Sequence, residues 1–406
     1  MPELARRALL KAFAGAVAAG PMLPRAASAK ELPFDEWVAA FRAEAVARGI
    51  TEATYTRVMG GIKPDLTGLA AIRNQPEFHE QLWQYLNRAV SDWRVQTGRQ
   101  KARQYASLFA RIERDFGVER STMLGIWGIE STFGDPLVQK NHMRPVFPSL
   151  AALAWAAPRR RAYWQGELID ALLIVQRGFS TPQQMVGSWA GAMGQTQWMP
   201  DVWLHTGIDY DRNGKISPFG APDDALGSTA RFLVERGHYR RGEHWGFEVR
   251  LPQTLSRGRA RSYSAWRKLG VARADDEPFP RPNDEARPWL PVEGGPAFLL
   301  GPNFFAVMSY NPSMHYALAV CDLGDRCVGG KPFVQKFPGS ERPPTIAEVE
   351  DIQRRLTALG YDTGGVDGRV GNDTMRAVQQ YQREVGMHPA DGYAGVRLLA
   401  RLRQGP

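Results

Sequence analysis

The sequence predicts a mainly α-helical protein of the α+β class, with a large helical unit, a small β-containing insertion and a small three-helix C-terminal unit. Three observations carry that prediction. Between Pro33 and about Arg236, apolar residues recur at three and four spacings, as in Leu108, Ile112 and Phe116, the period of an amphipathic helix. From Trp245 to about Phe298, short apolar pieces lie among Gly, Pro and Arg, and Phe247-Glu248-Val249-Arg250-Leu251 alternates like a strand. A separate helical pattern then begins at Thr345. At 406 residues the chain is long enough for two folding units, and 43% apolar residues allow each to bury a core.

Residues 1–29 read as an export leader. Arg6 and Arg7 precede the mostly apolar run Ala8 to Leu23, and Ala27-Ser28-Ala29 offers a small-residue cleavage site. Arg6-Arg7-Ala8-Leu9-Leu10-Lys11 fits either a twin-arginine signal or an ordinary positive n-region. No cysteine follows the apolar run, and no later stretch approaches the roughly 18 apolar residues that span a bilayer. The expectation is a periplasmic protein without a transmembrane anchor. Its formal charge of +9 calls for an anionic partner such as nucleic acid, anionic lipid or an acidic wall polymer. Export argues against nucleic acid.

The large unit is expected over 30–335. Near its end Tyr316 to Leu323 returns to helix, and Cys321 and Cys327 follow closely on one another. An oxidising compartment favours a local disulfide between them; the alternative is two partly buried thiols. Lys336 to Pro344, with three prolines, reads as a linker over 336–344. The unit over 345–406 opens with Thr345 as N-cap and Glu348 three positions on, a capping box. Ile346, Val349, Ile352, Leu356 and Leu359 share a helical face, which Gly360 ends. Asp-Gly-x-x-Gly occurs twice, at Asp367 to Gly371 and Asp391 to Gly395, each time before a further helical run. With one carboxylate apiece, these are turns rather than calcium loops.

For chemistry, the seven histidines form no His-Glu-x-x-His pair, and neither a Gly-x-Ser-x-Gly elbow nor a phosphate-binding loop occurs. Zinc and serine hydrolases are disfavoured. In Met123-Leu124-Gly125-Ile126-Trp127-Gly128-Ile129-Glu130-Ser131-Thr132-Phe133-Gly134, one carboxylate closes an apolar run. Buried against Met123, Ile126 and Trp127, it would hold its proton to higher pH and could donate it to a glycosidic oxygen. The alternative is a solvated glutamate in a last turn. Ser188 to Pro200 combines small residues, amides and aromatics, which suits a glycan cleft or a tightly packed loop. Asp209-Tyr210-Asp211-Arg212-Asn213-Gly214-Lys215 follows the first half of an EF-hand loop, but position twelve falls on Gly220, where a glutamate is needed.

Two resemblances go further. Val349-x-x-Ile352-Gln353-x-x-Leu356-x-x-Leu359-Gly360-Tyr361, with Asp367-Gly368-x-x-Gly371-x-x-Thr374, resembles the three-helix peptidoglycan-binding domain of wall hydrolases. Glu-Ser-x-Phe-Gly at Glu130, Ala190-Gly191-Ala192-Met193-Gly194 with Gln197, and Asn303-Phe304-Phe305 with Tyr310-Asn311 and His315-Tyr316-Ala317 resemble the three ordered motifs of the membrane-bound lytic murein transglycosylase B family. That likeness covers about 33 to 329.

The second resemblance implies a lysozyme-like α-helical catalytic domain that cleaves peptidoglycan glycan strands non-hydrolytically, with Glu130 as single acid and base. It implies cleft residues Ser188, Gln197, Tyr310 and Asn311, with Ser131 beside the glutamate and Tyr85 and Tyr163 also lining the cleft. Arg159 and Arg160 would meet muramyl or stem-peptide carboxylates, or form a solvated cationic turn. Phe232 stands where the family pattern has tyrosine, which removes one substrate hydrogen bond. The resemblance further implies a structural calcium, with Asp209, Asp211, Asn213 and Lys215 joined by Asp224, and no cofactor for the chemistry. Peptidoglycan strands are the expected partner, with other wall enzymes a further class.

Overall fold

The protein is described here from a computed structural model, over residues 32–69, 81–135, 143–157, 160–252, 255 and 258–405. The expected leader and Arg159 lie outside the described residues. The large unit is helical from Phe34–Ala47 to Asp223–Glu235 and again over Pro302–Tyr310 and Met314–Cys327. Two apolar cores support it. One gathers Phe41, Tyr55, Leu150, Leu168 and Trp203, and the other Ile112, Trp127, Leu233, Phe304 and Val320.

The second core is organised by two helices, Arg120–Ser131 and Met314–Cys327. Ser121 to Gly128 are all buried, so this helix is apolar on every side rather than amphipathic. Its glycines permit very close packing. A Cβ at Gly125 would collide with the Val320 carbonyl oxygen, and one at Gly324 with the Ser121 carbonyl oxygen. The pairs Gly125–Val320 and Ser121–Gly324 step in opposite directions along the two helices. That antiparallel register brings Glu130 opposite Tyr316.

The expected β insertion is present. Five strands form an antiparallel sheet, with Gly246–Arg250 paired to Ala297–Leu300 in the register Phe247 to Leu299 and Val249 to Ala297. Val249, Trp266, Phe279 and Leu299 make its own small core. A second, two-stranded pairing joins Arg144–Pro145 to Val186–Gly187.

The C-terminal unit has helices Ile346–Ala358, Asn372–Glu384 and Val396–Arg403 around Ile352, Leu356, Val378 and Leu398. The capping box forms as expected. Thr345 Oγ1 accepts from the Glu348 N–H at 3.3 Å, and Glu348 Oε2 accepts from the Thr345 N–H at 2.9 Å. In the segment read as a linker, Phe337 is buried against the large unit's core.

One expectation fails. Cys321 and Cys327 are free, buried thiols. Both lie within the Met314–Cys327 helix, where six residues of rise separate them by roughly 9 Å along the axis. A disulfide tolerates a Cα separation of at most about 7 Å.

Candidate active site

Glu130 sits half-buried in the final turn of its helix. The chain leaves that turn through Thr132, Phe133 and Gly134, at φ 54°, 61° and 74°. Non-glycine residues take positive φ only where surrounding contacts hold them, and these contacts are specific. Ser131 Oγ donates its single hydrogen to the Gln195 carbonyl oxygen, with the Trp127 carbonyl oxygen 3.3 Å away, and accepts from the Gly134 N–H at 2.9 Å. Phe133 packs edge-on to Trp127 at 5.7 Å. A Cβ at Gly134 would strike the Gln195 side chain. Each residue of the Glu-Ser-x-Phe-Gly motif other than Glu130 and Thr132 thus acts on the turn itself. Ser131, expected beside the glutamate in the cleft, has a buried side chain, and its hydroxyl is engaged by protein groups that hold the turn carrying Glu130.

Burial is the larger influence on Glu130 and pushes its pKa up to about 7; the Tyr316 hydroxyl, which donates to Oε1 at 2.5 Å, works in the opposite direction. Among the described residues no second carboxylate enters its electrostatics. A carboxyl group poised near neutrality can donate a proton and then take one back. Tyr316 is the residue that sequence reasoning missed. It lies inside His315-Tyr316-Ala317, but its partner is 186 positions away, and only the helix register shows the pairing.

Of the predicted cleft residues, Tyr310 and Tyr85 act electrostatically on this pair, and the side-chain hydrogen bonds of Ser188 and Gln197 are local to their own turn. The Tyr310 hydroxyl donates to the Thr196 carbonyl at 2.5 Å, and the negative charge of Glu130, after burial, helps hold that phenol protonated. Asn311 is exposed at the end of the same helix. The segment after Gly187 folds as a compact turn. Ser188 Oγ accepts from the Ala190 and Ala192 N–H groups at 3.3 and 3.2 Å, and Gln197, at φ 53°, donates Nε2 to the Gly194 carbonyl at 3.1 Å. A Cβ at Gly194 would meet the Pro218 carbonyl oxygen, so only glycine fits there. Tyr85 lies 6.2 Å from the His315 ring and adds to the upward push on the Tyr316 phenol. Phe232, in the place of the expected tyrosine, packs edge-on to Tyr310 at 5.2 Å.

Tyr163 and Arg160 belong to a different cluster. The Arg160 guanidinium stacks over the Tyr163 ring at 4.2 Å, and Tyr163 bonds to Glu167, a carboxyl that burial also raises to about 7. No described contact ties them to Glu130.

One amide joins the active turn to the EF-hand-like loop. Gln195 Oε1 accepts from the Trp127 indole at 2.9 Å, its Nε2 donates to the Gly220 carbonyl at 2.6 Å, and its N–H donates to the Pro218 carbonyl at 2.8 Å. In the loop, carboxylate oxygens of Asp209, Asp211 and Asp224 lie within 4.8 Å of one another. Gly214, at φ 86°, makes the turn at the sixth position. Asp224, buried in the first turn of the following helix, brings a third carboxylate to a loop whose twelfth position is Gly220, and accepts from the Tyr210 and Ser217 N–H groups at 2.7 and 3.0 Å. Three hard oxygen donors this close together suit calcium.

Comparison with known proteins places these features. The family described as a transglycosylase SLT domain matches residues 33–325, and a putative peptidoglycan binding domain matches 345–402. The chain is 29% identical over 241 residues to membrane-bound lytic murein transglycosylase B of Escherichia coli, which covers 59% of this chain and 65% of that protein's length. Among solved structures it resembles SltB3 from Pseudomonas aeruginosa in complex with NAG-anhNAM-pentapeptide, at 38% identity and TM-score 0.70, covering 91% of this chain and 99% of that one. It also resembles Slt35, an Escherichia coli lytic transglycosylase in complex with calcium, at 26% identity and TM-score 0.61, covering 72% and 92%.

Proposed function

Because the chain belongs to the transglycosylase SLT domain family, we propose that it is a lytic transglycosylase that cleaves the β-1,4 bond between N-acetylmuramic acid and N-acetylglucosamine in peptidoglycan, with Glu130 as single acid and base. The observation that carries this reading is the Glu130 carboxyl, raised to about 7 with Tyr316 on one oxygen and no second carboxylate acting on it among the described residues. SltB3, covered almost in full, is a relative solved with a peptidoglycan fragment containing an anhydromuramyl unit.

Protonated Glu130 donates to the glycosidic oxygen as the bond to muramyl C1 breaks, and N-acetylglucosamine leaves with a free hydroxyl. The muramyl 2-acetamido oxygen closes on C1 and carries the developing charge, in place of the second carboxylate of the usual two-carboxylate enzymes. Ionised Glu130 then removes the proton from the C6 hydroxyl as that oxygen attacks C1. The products are a 1,6-anhydromuramyl end and a regenerated carboxylic acid, with no water consumed. Tyr316 keeps Glu130 fixed through both charge states.

The same reading assigns peptidoglycan attachment to 345–406, a linker role to 336–344 and periplasmic residence to the mature chain. No helix among the described residues is long and apolar enough to cross a membrane. It gives the Asp209–Asp224 loop a structural calcium, held by Asp209, Asp211, Asn213, the Lys215 carbonyl and Asp224; the ion would neutralise the clustered acids and brace the loop. Purified sacculi digested with wild type and with Glu130→Gln test the reaction. Mass spectrometry should find anhydro ends from the wild type and none from the variant. Reducing ends instead would make the enzyme a hydrolytic muramidase.

A further inference from the structure

A cavity of about 260 Å³ lies between the two units, and the reaction above leaves it unused. Arg88, Trp93 and Arg94 line it from the large unit, and Arg369, Met375 and Tyr393 from the small one. Both Asp-Gly turns close onto it. Arg369, in the first, pairs with Asp135 at 2.7 Å and stacks over Trp93 at 4.1 Å. Tyr393, in the second, accepts from Asn87 Nδ2 at 2.7 Å, and Gln84 donates to Asp391 at 2.5 Å. The turns that the sequence presents as repeats are therefore the docking edge of the small unit.

One wall of the cavity includes a cation whose hydrogen-bond partners are carbonyl oxygens rather than carboxylates. Arg94 Nη1 donates to the Arg88 and Ala89 carbonyls at 2.9 and 2.6 Å, while its buried Nε has no partner. Among the described residues no carboxylate pairs with it. Burial, and then the charge of Arg88, pull its pKa down to about 10. A buried charge without a counterion is unfavourable, so such a site gains by admitting an anion. The acids in the lining are engaged elsewhere: Asp391 with Gln84 and Gln382, and Asp92 toward Arg326 at 3.9 Å.

The cavity adjoins the reacting centre from two directions. Thr132, two residues past Glu130, forms part of its wall. Arg88 lies over the Tyr85 ring at 5.3 Å, and Tyr85 in turn neighbours His315 and influences Tyr316. The cavity wall therefore begins two residues past the acid, in the turn that carries it.

We propose that this cavity is a subsite for the carboxylate-bearing stem peptide of the muramyl residue at the cleavage point, with Arg94 receiving a peptide carboxylate. The inference rests on the glycan-cleaving reading and adds that the joint between the units, not either unit alone, recognises the peptide.

The test uses the mature full-length chain on two substrates: glycan strands with stem peptides, and the same strands stripped by an amidase. Losing a hydrogen-bonded charge contact costs about tenfold or more in affinity, so the wild-type KM should be about tenfold lower on peptide-bearing strands. Arg94→Gln, which removes the cation, and Met375→Trp, which fills the cavity from the opposite wall, should each bring the two KM values together. If Arg94→Gln does not fold, Met375→Trp decides alone. A wild-type KM ratio near one, or a folded variant that keeps the wild-type ratio, overturns the subsite. Failure of the underlying reading shows differently, as an absence of anhydro ends from either substrate; calorimetric binding of the two strands to Glu130→Gln would still report on the cavity.

Discussion

Tyr316 donates a 2.5 Å hydrogen bond to Oε1 of Glu130 across a pair of antiparallel helices, and it is the one described interaction that opposes the effect of burial on that carboxyl. Since the bond favours the ionised form, the pair sets how acidic the working group is.

The acid step needs protonated Glu130, so kcat/KM should fall as pH rises through about 7. In Tyr316→Phe the bond that lowers the pKa is gone. The descending limb should then move to higher pH while kcat drops, because the carboxyl loses its anchor. A pH–rate profile of both proteins checks this; a limb that stays in place in the variant would separate Tyr316 from Glu130 acidity.

A raised carboxyl pKa also has a cost in stability. Folded Glu130 holds a proton between the ordinary value of 4.5 and about 7 that the unfolded chain releases, so its contribution to stability declines as pH rises across that window. Glu130→Gln removes the dependence. Denaturant titrations should find the variant more stable than wild type at pH 8, with the difference shrinking toward pH 5.

Glycine close approach makes a paired prediction. Gly125→Ala forces a methyl group into the Val320 carbonyl and should destabilise by about 1–3 kcal/mol, as overpacking does. Gly166→Ala, inside the Arg161–Gln176 helix with nothing within 4 Å of the new Cβ, should instead stabilise by about 0.5–1 kcal/mol through helix propensity. Urea melts of the two variants should move in opposite directions.

Calcium should raise the Tm of chelator-treated wild type, by mass action on the folded state. Asp224→Asn removes the buried carboxylate of the loop and should abolish most of that rise. An equal calcium response in wild type and variant would take Asp224 out of the ligand set.

Burial pushes both thiols up, Cys321 far above its ordinary range and Cys327 to about 12. Native protein should react slowly with a thiol reagent. After unfolding without reductant, two thiols per chain should titrate; none would mean a disulfide.

The residues announced the fold class because periodicity is local: Leu108, Ile112 and the Thr345 capping box each declare a helix within a few positions. Glu130 was legible once its motif was joined to two others downstream. What stayed hidden depended on direction in space. Ser131 looked like a cleft residue because it neighbours the acid, yet its hydroxyl turns inward to Gln195. Cys321 and Cys327 looked bonded because they are close in sequence, and helix rise holds them apart. Tyr316 had no role until the Gly125 and Gly324 contacts fixed how the two helices face one another.

The side chain of Gln195 has two chemically different ends and uses both, accepting from Trp127 beside the active turn and donating to Gly220 beside the loop. Its orientation is therefore polarised, and its nearest isosteres are not equivalent replacements. A glutamate could still accept from the indole but would set a negative oxygen against the Gly220 carbonyl. A leucine would fill the space and leave both neighbours without their partner. Of the uncharged side chains of this size, only an amide satisfies the indole donor and the carbonyl acceptor at once, so the loop and the acid are constrained to vary together through a single position.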